Sequence, residues 1–393
     1  MAMVRFGDVA ERVNTKEDRF NTDLVYYVGG DHIESNALTV SGRGKIKEAD
    51  LGPMFYFGIK PGDILFVTRN PHLRKSAKVD FAGICSEKTL VIATKDENVL
   101  LQDYLAGVMQ SDDFWDFMEE NKSGSVNYFI NWSTLADYEF DLPPLDRQRK
   151  LAELLWAAND LKESYKKAIT ATDEMLKAKF REMFGDVGDD SSRGGAEARS
   201  TIGKVTVVEF GEVAIDFRNG LSPSRRGSIH AKALTLTAIT QGVFDPTQWK
   251  DSTFDIEVPK DKYIFSDDFY ICRGNGNKSL VGMGVFSSED HDDLVFPDTV
   301  IAAKIDTSKI TMPFLAYAWN SDGVRQQVGI SAKTSSGLYK VNQERLSHIR
   351  IPLPPLSLQR EFVAIADKAE SAKANLKKSI AAIDQVMKGL ING

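Results

Sequence analysis

The chain has 393 residues, of which 42% are hydrophobic and 27% charged, and its formal net charge at pH 7 is −7. This composition is typical of a globular protein with room for two or more domains, and the acidic balance argues against a protein coated in nucleic acid. No apolar run is long enough to span a bilayer and no signal peptide is evident, which predicts a cytoplasmic protein with no membrane association. Two cysteines, Cys85 and Cys272, fit a reducing compartment and are expected to be buried.

Residues 1–142 are predicted to form a first domain of mixed strands and helix. Segments rich in β-branched and aromatic residues predict strands at 24–29, 63–68 and 89–94. Apolar residues at helical spacing predict a single helix over residues 100–118.

A basic loop, RNPHLRKSAK, follows the second of these predicted strands. It contains Arg69, His72, Arg74, Lys75 and Lys78 within ten residues. Cations spaced along a loop can follow successive phosphates, and arginine can also bind guanine in the major groove. The loop is therefore a candidate DNA contact. The alternative is a solvated basic loop with an ordinary surface histidine.

Residues 143–184 are predicted to form a first long helix. Pro143 and Pro144 favour extended backbone before it, and Asp146 is placed to cap it. About 40 residues give a length of about 60 Å. Its apolar residues recur at alternating steps of three and four, which predicts a coiled-coil seam and a partner helix. The seam residues are Leu151, Leu154, Leu155, Ala158, Leu161, Tyr165, Ile169, Thr172, Leu176, Phe180 and Met183.

Residues 185–200 are small, polar and glycine-rich, which predicts a mobile linker. A second mixed domain is predicted over residues 201–352 and a second long helix over 353–393. The two long helices carry matching apolar stripes, so we expect them to pair with each other, antiparallel. Their outer faces are expected to carry Lys162, Lys166, Lys167, Lys177, Lys373 and Lys377.

Three loops of the second domain carry further candidate DNA contacts. The motif SPSRRG could anchor phosphates, ICRGNGNKS combines polar side chains with glycines that permit close approach, and a Ser/Gly loop lies before the second proline pair. The alternatives are a charged turn, a tight hairpin without a ligand and a simple connection. The glycine-rich motif does not match the spacing of a phosphate-binding P-loop, which argues against nucleotide hydrolysis. The candidate residues are Arg225, Arg226, Arg273, Asn275, Asn277, Lys278 and Lys333.

The two halves of the chain are copies of one unit. The motif LPPL-x-x-Q-R occurs at residues 142–149 and 353–360, a separation of 211. Near the starts of the two halves, VRFGDVA and VEFGEVA are 204 residues apart. A separation that is constant within one block and different elsewhere indicates a duplication with altered loops. We therefore predict an α+β fold in which an antiparallel coiled coil joins two mixed domains with pseudo-two-fold symmetry.

This arrangement resembles the specificity subunit of Type I restriction–modification systems along essentially the whole chain. The resemblance rests on the repeated LPPL-x-x-Q-R motif and on segments 62–86, 220–227 and 271–282, which look like blocks of the family's target recognition domains. The two helix starts differ, because Asp146 and Arg147 stand where the second copy has Ser357 and Leu358.

The resemblance implies that each domain reads one half of a bipartite target in double-stranded DNA. It also implies that the coiled coil sets the spacer and docks two methyltransferase subunits, which a restriction subunit can join. No cofactor is expected on this chain, since the methyltransferase partner would bind the S-adenosylmethionine used to methylate adenine.

Two alternative functions remain open. One is an enzyme with an unrecognised DNA-modifying or nuclease site, and the other is a coiled-coil scaffold with no DNA role. The sequence lacks the [DN]-P-P-[YFW] tetrapeptide expected of a chain that methylates adenine itself, and it contains no zinc-ligand spacing or hydrolase motif. We therefore predict a non-catalytic subunit without a metal site.

Overall fold

A computed structural model describes residues 2–185, 187, 197–200, 203–335 and 337–393. The chain forms two compact units, of which unit 1 comprises Met1–Ala168 and Asn375–Gly393 and unit 2 comprises Ile169–Ala374. Each long helix therefore contributes one part to each unit. The predicted domain boundaries treat these helices as separate segments and stay a prediction. Of the predicted linker, residues 186 and 188–196 lie outside the described residues.

Unit 1 combines small sheets with short helices. Its strands are β1 (Ala2–Arg5), β2 (Ala10–Val13), β3 (Tyr26–Val28), β4 (Gly44–Lys45), β5 (Phe55–Ile59), β6 (Ile64–Val67), β7 (Ser76–Lys78), β8 (Gly83–Ser86), β9 (Thr89–Thr94) and β10 (Glu139–Leu142). Its helices are α1 (Phe6–Val9), α2 (Gln102–Val108), α3 (Asp112–Glu120), α4 (Trp132–Ala136) and the first part of α5 (Leu145–Phe184). The strands form sheets in the orders β2-β9-β6-β7 and β4-β3-β8-β5, and β1 pairs with β10.

Unit 2 repeats this organisation. Its strands are β11 (Glu197–Ser200), β12 (Gly203–Glu209), β13 (Ala214–Asn219), β14 (Ile229–Leu234), β15 (Trp249–Phe254), β16 (Tyr263–Ile264), β17 (Asp268–Cys272), β18 (Gly274–Asn275), β19 (Gly284–Phe286), β20 (His291–Val295), β21 (Val300–Ile305), β22 (Lys333–Ser335), β23 (Leu338–Lys340) and β24 (Arg350–Pro352). Its helices are α6 (Thr237–Thr240), α7 (Met312–Trp319), α8 (Asp322–Ser331), α9 (Gln343–Ser347) and the first part of α10 (Leu356–Asn392).

The sheets of unit 2 match those of unit 1. The order β13-β21-β17-β19 corresponds to β2-β9-β6-β7, and β15-β14-β20-β16 corresponds to β4-β3-β8-β5. Each second sheet contains one parallel pair, β3 with β8 and β14 with β20, among antiparallel neighbours. The predicted duplication and the predicted α+β class are therefore confirmed. Residues 197–200 of the predicted linker instead form β11, which pairs with β12.

Central strands of both units are buried on both faces. In β6, Ile64 and Phe66 pack into one hydrophobic cluster, while the alternate residues Leu65 and Val67 pack into another. Strand β17 divides its side chains in the same way between two clusters of unit 2. The period of two places successive side chains on opposite faces, so these apolar runs form strands between two layers. The basic loop follows the end of β6, and the glycine-rich candidate loop follows the end of β17.

The predicted helix over residues 100–118 is wrong in one respect, because the structure divides it into α2 and α3. The hydroxyl oxygen of Ser111 accepts a hydrogen bond from the backbone N–H of Phe114 at 3.2 Å. This cap starts a new helix, and such a cap favours a change of direction over continuation. Apolar spacing alone did not reveal the break.

The two long helices pack against each other antiparallel, as predicted. In unit 1, Leu155 near the start of α5 and Met387 near the end of α10 belong to one buried cluster. In unit 2, the rings of Phe180 near the end of α5 and Phe362 near the start of α10 lie 5.3 Å apart. The start of each helix thus meets the end of the other.

A repeated ion pair fixes the register of these helices. The ammonium group of Lys162 lies 2.6 Å from Asp384 in unit 1, and Lys373 pairs with Asp173 in unit 2. The members of one pair are each 211 residues from their counterparts in the other. The outward placement predicted for these two lysines is wrong, since their side chains are only 14% and 11% exposed. A lysine stem can pack along an apolar seam while its charge reaches the facing helix.

The predicted seam also fails at two leucines. Leu154 and Leu161 are 49% and 45% exposed. A straight α-helix drifts relative to a strict heptad repeat, so part of an apolar stripe turns toward solvent.

The glutamine of the LPPL-x-x-Q-R motif is a buried structural joint in both units. In unit 2, the side chain of Gln359 accepts a hydrogen bond from Thr311 N (2.8 Å) and donates to the carbonyl oxygens of Lys309 and Pro354, both at 2.9 Å. In unit 1, Gln148 accepts from Leu101 N and donates to Val99 O and Pro143 O, at 2.8–3.0 Å. The motif therefore ties the start of each long helix to the loop before a short one.

The two cysteines are free and buried, as predicted. Burial raises the pKa of Cys85 to about 12 and that of Cys272 to about 11. Both thiols therefore stay protonated near neutral pH. Within the described part of the chain, no helix is long and apolar enough to cross a membrane.

Candidate nucleic-acid interface

The basic loop of unit 1 is engaged largely within the protein. The guanidinium of Arg74 lies 2.6 Å from Asp112 and 3.3 Å from Asp116. The ammonium of Lys78 pairs with Asp103, and that of Lys75 donates to Gly30 O at 2.5 Å. The charged groups of Arg74, Lys75 and Lys78 thus have intramolecular partners, which makes each less available to a phosphate.

The other two candidates of this loop differ from each other. Arg69 donates to Asn127 O at 3.3 Å, and its guanidinium carbon lies 5.0 Å from the centre of the Phe129 ring. His72 is exposed on the short helical turn Pro71–Leu73. Neither of these two side chains forms an ion pair with the residues that the structure describes, in contrast to Arg74 and Lys78.

Asp112 links the basic loop to the end of α10. Hydrogen bonds from Arg74 and Lys388 lower the pKa of its carboxyl group, and Asn392 Oδ1 accepts from its backbone N–H at 2.7 Å. In unit 2 the corresponding residue, Asp322 at the start of α8, lies 3.2 Å from Lys177 of α5. In each unit, the first residue of a short helix therefore binds side chains near the end of a long helix.

The turn after β13 presents the most accessible arginines among the candidates. Arg225 and Arg226 are both exposed, and neither side chain forms an ion pair with the residues that the structure describes. The turn is held in place because Thr253 Oγ1 donates to Ser224 O at 2.6 Å and Ser224 N donates to Thr253 O at 2.8 Å. A fixed turn with exposed cations is suited to contact phosphates.

The glycine-rich candidates form a small three-stranded ribbon. This ribbon 2 consists of residues 273–275, 333–335 and 338–341, in the strand order β18-β23-β22. Gly274 pairs with Lys340, which also pairs with Lys333. The sequence-distant candidates Asn275 and Lys333 are thus brought onto one ribbon. Lys278, in the turn after β18, extends its ammonium over the ring of Tyr339 at 5.9 Å.

The turn that carries Arg225 and Arg226, the arginine turn, and ribbon 2 both adjoin residues 297–299. Leu221 O accepts from Asp298 N at 3.2 Å, at the start of the turn. Arg273 donates from its backbone to Thr299 O (2.8 Å) and from its side chain to Asp298 O (3.1 Å). Arg273 is therefore a structural link between the two elements. The structure brings the second-domain candidates to one edge of unit 2.

Asn275 and Asn277 have local roles in this turn. Asn275 Oδ1 accepts from Asn277 N at 2.8 Å, and Asn277 Oδ1 accepts from Ser279 N at 3.0 Å. These bonds form turns of the Asx type, which are compatible with the tight-hairpin alternative. Asn277 caps the short turn Lys278–Leu280, so its amide oxygen is already engaged.

Unit 1 contains the equivalent ribbon 1, residues 68–70, 123 and 128–130. Ile130 N donates to Thr68 O at 2.9 Å, and in unit 2 Val341 N donates to Arg273 O at 2.9 Å. Arg69 forms an antiparallel β-bridge with Phe129 in ribbon 1, and Gly274 pairs with Lys340 at the equivalent place in ribbon 2. The structure therefore shows that residues of the two ribbons are equivalent even where the number of residues between the two copies differs.

Sequence reasoning missed four residues of these ribbons. Asn70 and Tyr128 face each other in ribbon 1, as Asn275 and Tyr339 do in ribbon 2, and Lys340 is an exposed cation of the second. The two tyrosines are 211 residues apart, so extending the repeat three residues upstream of Asn131 would have found them. The asparagines are 205 apart, and no constant separation reveals them.

The duplicated α+β units, the antiparallel helices joined by LPPL-x-x-Q-R motifs and the paired ribbons define the fold of Type I specificity subunits. In particular, the chain is 23% identical over 380 residues to the Type I restriction enzyme StySPI specificity subunit of Salmonella potsdam, across 93% of this chain and 76% of that relative. No family model matches the chain.

Solved structures show the same fold. A Type I restriction–modification S subunit from M. genitalium aligns with a TM-score of 0.56 and 14% identity, over 99% of this chain and 94% of that one. A chain from a structure concerned with complex assembly and conformational transition of the type I R-M system aligns with a TM-score of 0.57 and 18% identity, over 99% and 96%. The resemblance predicted from the sequence is confirmed, while the individual DNA-contacting residues stay a prediction.

Proposed function

We propose that this chain is the DNA sequence-recognition subunit of a Type I restriction–modification complex, with each unit reading one half of a bipartite double-stranded target. The whole-length similarity to a specificity subunit carries this proposal. The exposed cations of unit 2 and the ribbon that occurs in both units support it, because a duplicated reader suits a target in two parts.

The partners and cofactor follow from the same proposal. Two methyltransferase subunits dock on the long helices, bring the S-adenosylmethionine and methylate adenine, and a restriction subunit joins them. The chain itself is a non-catalytic subunit that acts in the cytoplasm. Large apolar side chains exposed on the helices support docking there, namely Leu154, Leu161 and Val386 in unit 1 and Met175 in unit 2.

The direct experiment is to map methylated adenines in host DNA with and without this gene. We expect a bipartite motif that disappears when the gene is deleted. Methyl transfer or cleavage by the purified chain alone would instead favour an enzyme. A complex that includes the partners but shows no salt-dependent DNA binding would favour the scaffold.

We also propose that the paired helices set the spacer between the half-sites. Inserting seven residues after Ala168 in α5 and seven after Ala374 in α10 adds one heptad, about 10 Å, to both helices. At 3.4 Å per base pair, the spacer should lengthen by about three base pairs. Methylation mapping measures the spacer, and the unchanged half-site sequences are the internal control. Methylation with the original spacer would contradict the proposal.

A further inference from the structure

Both ribbons contain an asparagine paired with a tyrosine at equivalent positions. Asn70 N donates to Tyr128 O at 3.1 Å in ribbon 1, and Asn275 pairs with Tyr339 in ribbon 2. The positions beside this pair differ between units: Arg69 and Phe129 in ribbon 1 correspond to Gly274 and Lys340 in ribbon 2. Each unit thus has one asparagine–tyrosine pair at this place, while the residues beside the pair differ between the units.

Each tyrosine also carries a lysine ammonium over its ring. Lys122 lies 4.6 Å from the centre of the Tyr128 ring, and Lys278 lies 5.9 Å from that of Tyr339. Lys122 precedes the strand that carries its tyrosine, whereas Lys278 comes from the turn after the opposite strand. Two different segments therefore place a lysine over the tyrosine ring. Lys122 also pairs with Glu119 at 2.6 Å, whereas Lys278 makes no ion pair with the residues that the structure describes.

Backbone geometry alone does not account for an asparagine at both positions. Asn70 has a φ of +53°, a left-handed conformation that asparagine tolerates well. Asn275 lies in strand β18 and is not among the residues with positive φ. The asparagine of ribbon 2 instead makes an Asx turn, its Oδ1 accepting from Asn277 N at 2.8 Å, so no single backbone conformation explains an asparagine at both equivalent positions.

The side chains of both asparagines can reach a ligand. Asn70 is exposed, and its side chain makes no capping hydrogen bond to the turn that follows. Asn275 is half-buried, with its Oδ1 in the turn to Asn277 and its amide beside the Cys272 thiol. An amide oxygen has two lone pairs and an amide nitrogen two N–H groups, so one acceptor and one donor site remain. That pattern matches the N6 and N7 positions of adenine in the major groove.

We propose that Asn70 and Asn275 are equivalent specificity-determining residues, each reading an adenine–thymine pair in its own half-site, and that Lys278 beside Asn275 holds the adjacent phosphate in ribbon 2. This inference rests on the proposed function and adds the residues that carry it. The half-sites share this one contact. They differ elsewhere because an arginine and a phenylalanine in ribbon 1 are replaced by a glycine and a lysine in ribbon 2.

The test uses the complete complex in cells, with methylated-adenine mapping as the readout. Asn70→Gly removes the side-chain amide and keeps the left-handed backbone accessible. Asn275→Ser removes the amide and keeps a hydroxyl acceptor for the turn. We expect each variant to lose preference for adenine–thymine at one position of one half-site, with discrimination falling roughly tenfold or more. The other half-site stays unchanged, so each variant is the control for the other.

The outcomes separate this inference from the proposed function. If the wild-type gene directs no sequence-specific methylation, the proposed function fails. If both variants direct methylation at the original motif, the proposed function stands and the asparagines do not read bases. Loss of all methylation by chains that still fold would assign the asparagines to affinity and overturn the inference as well.

Discussion

Replacing Gln359 with leucine lowers the free energy of unfolding of unit 2 by about 3 kcal/mol or more. The side chain is fully buried and makes hydrogen bonds to three backbone groups. Leucine fills a similar volume but leaves two carbonyls and one N–H without a partner, and each unpaired buried group costs about 1–3 kcal/mol. Urea unfolding of the purified chain, followed by tryptophan fluorescence, measures the loss.

Two further variants make this experiment specific. Gln148→Leu removes the equivalent hydrogen bonds in unit 1 and should destabilise that unit by a similar amount. Gln326→Leu changes an exposed glutamine of α8 and should alter stability by no more than about 0.5 kcal/mol. A Gln359→Leu chain as stable as the Gln326→Leu chain would show that the glutamine of the motif is not a structural joint.

Much of the architecture could be predicted because it follows from local periodicity and from the duplication. The long helices, their antiparallel pairing and the main strands all rest on patterns that one copy of the repeat shares with the other. The cap at Ser111 could not be predicted, because a single hydroxyl ended one helix and began another within a continuous apolar pattern. The placement of Lys373 against Asp173 depends on a facing helix that its own sequence pattern does not contain.

The candidate surface was less predictable, since a sequence counts charges but does not show which are already paired. Arg74 and Lys78 looked like the centre of a DNA contact, yet they lie against Asp112 and Asp103 from the helices that follow. Arg225 and Arg226 were predicted phosphate contacts with a charged turn as the alternative, and they are the more exposed. Asn70 went unrecognised because its equivalence with Asn275 exists only in the hydrogen bonds of the two ribbons.

Removing the exposed cations of unit 2 together has the largest expected effect on DNA binding. The variant carries Arg225→Ala, Arg226→Ala, Lys278→Ala and Lys333→Ala. If each contacts a phosphate, the slope of log K against log salt becomes shallower by about 0.9 for each, and by about 3.6 for all four. At a salt concentration of about 0.1 M, one decade below 1 M, this amounts to a loss of affinity of about 4,000-fold for the intact complex. Fluorescence anisotropy over a salt series measures both quantities.

The same titration distinguishes exposed from paired cations. Arg74→Ala with Lys78→Ala should change the slope by less than 0.9 per residue, because these side chains already satisfy carboxylates. Lys250→Ala with Lys260→Ala removes two exposed lysines that belong to neither the arginine turn nor ribbon 2, and should leave the slope unchanged. Equal changes per residue in all three variants would mean that the complex responds to net charge, and that this edge of unit 2 is not where phosphates bind.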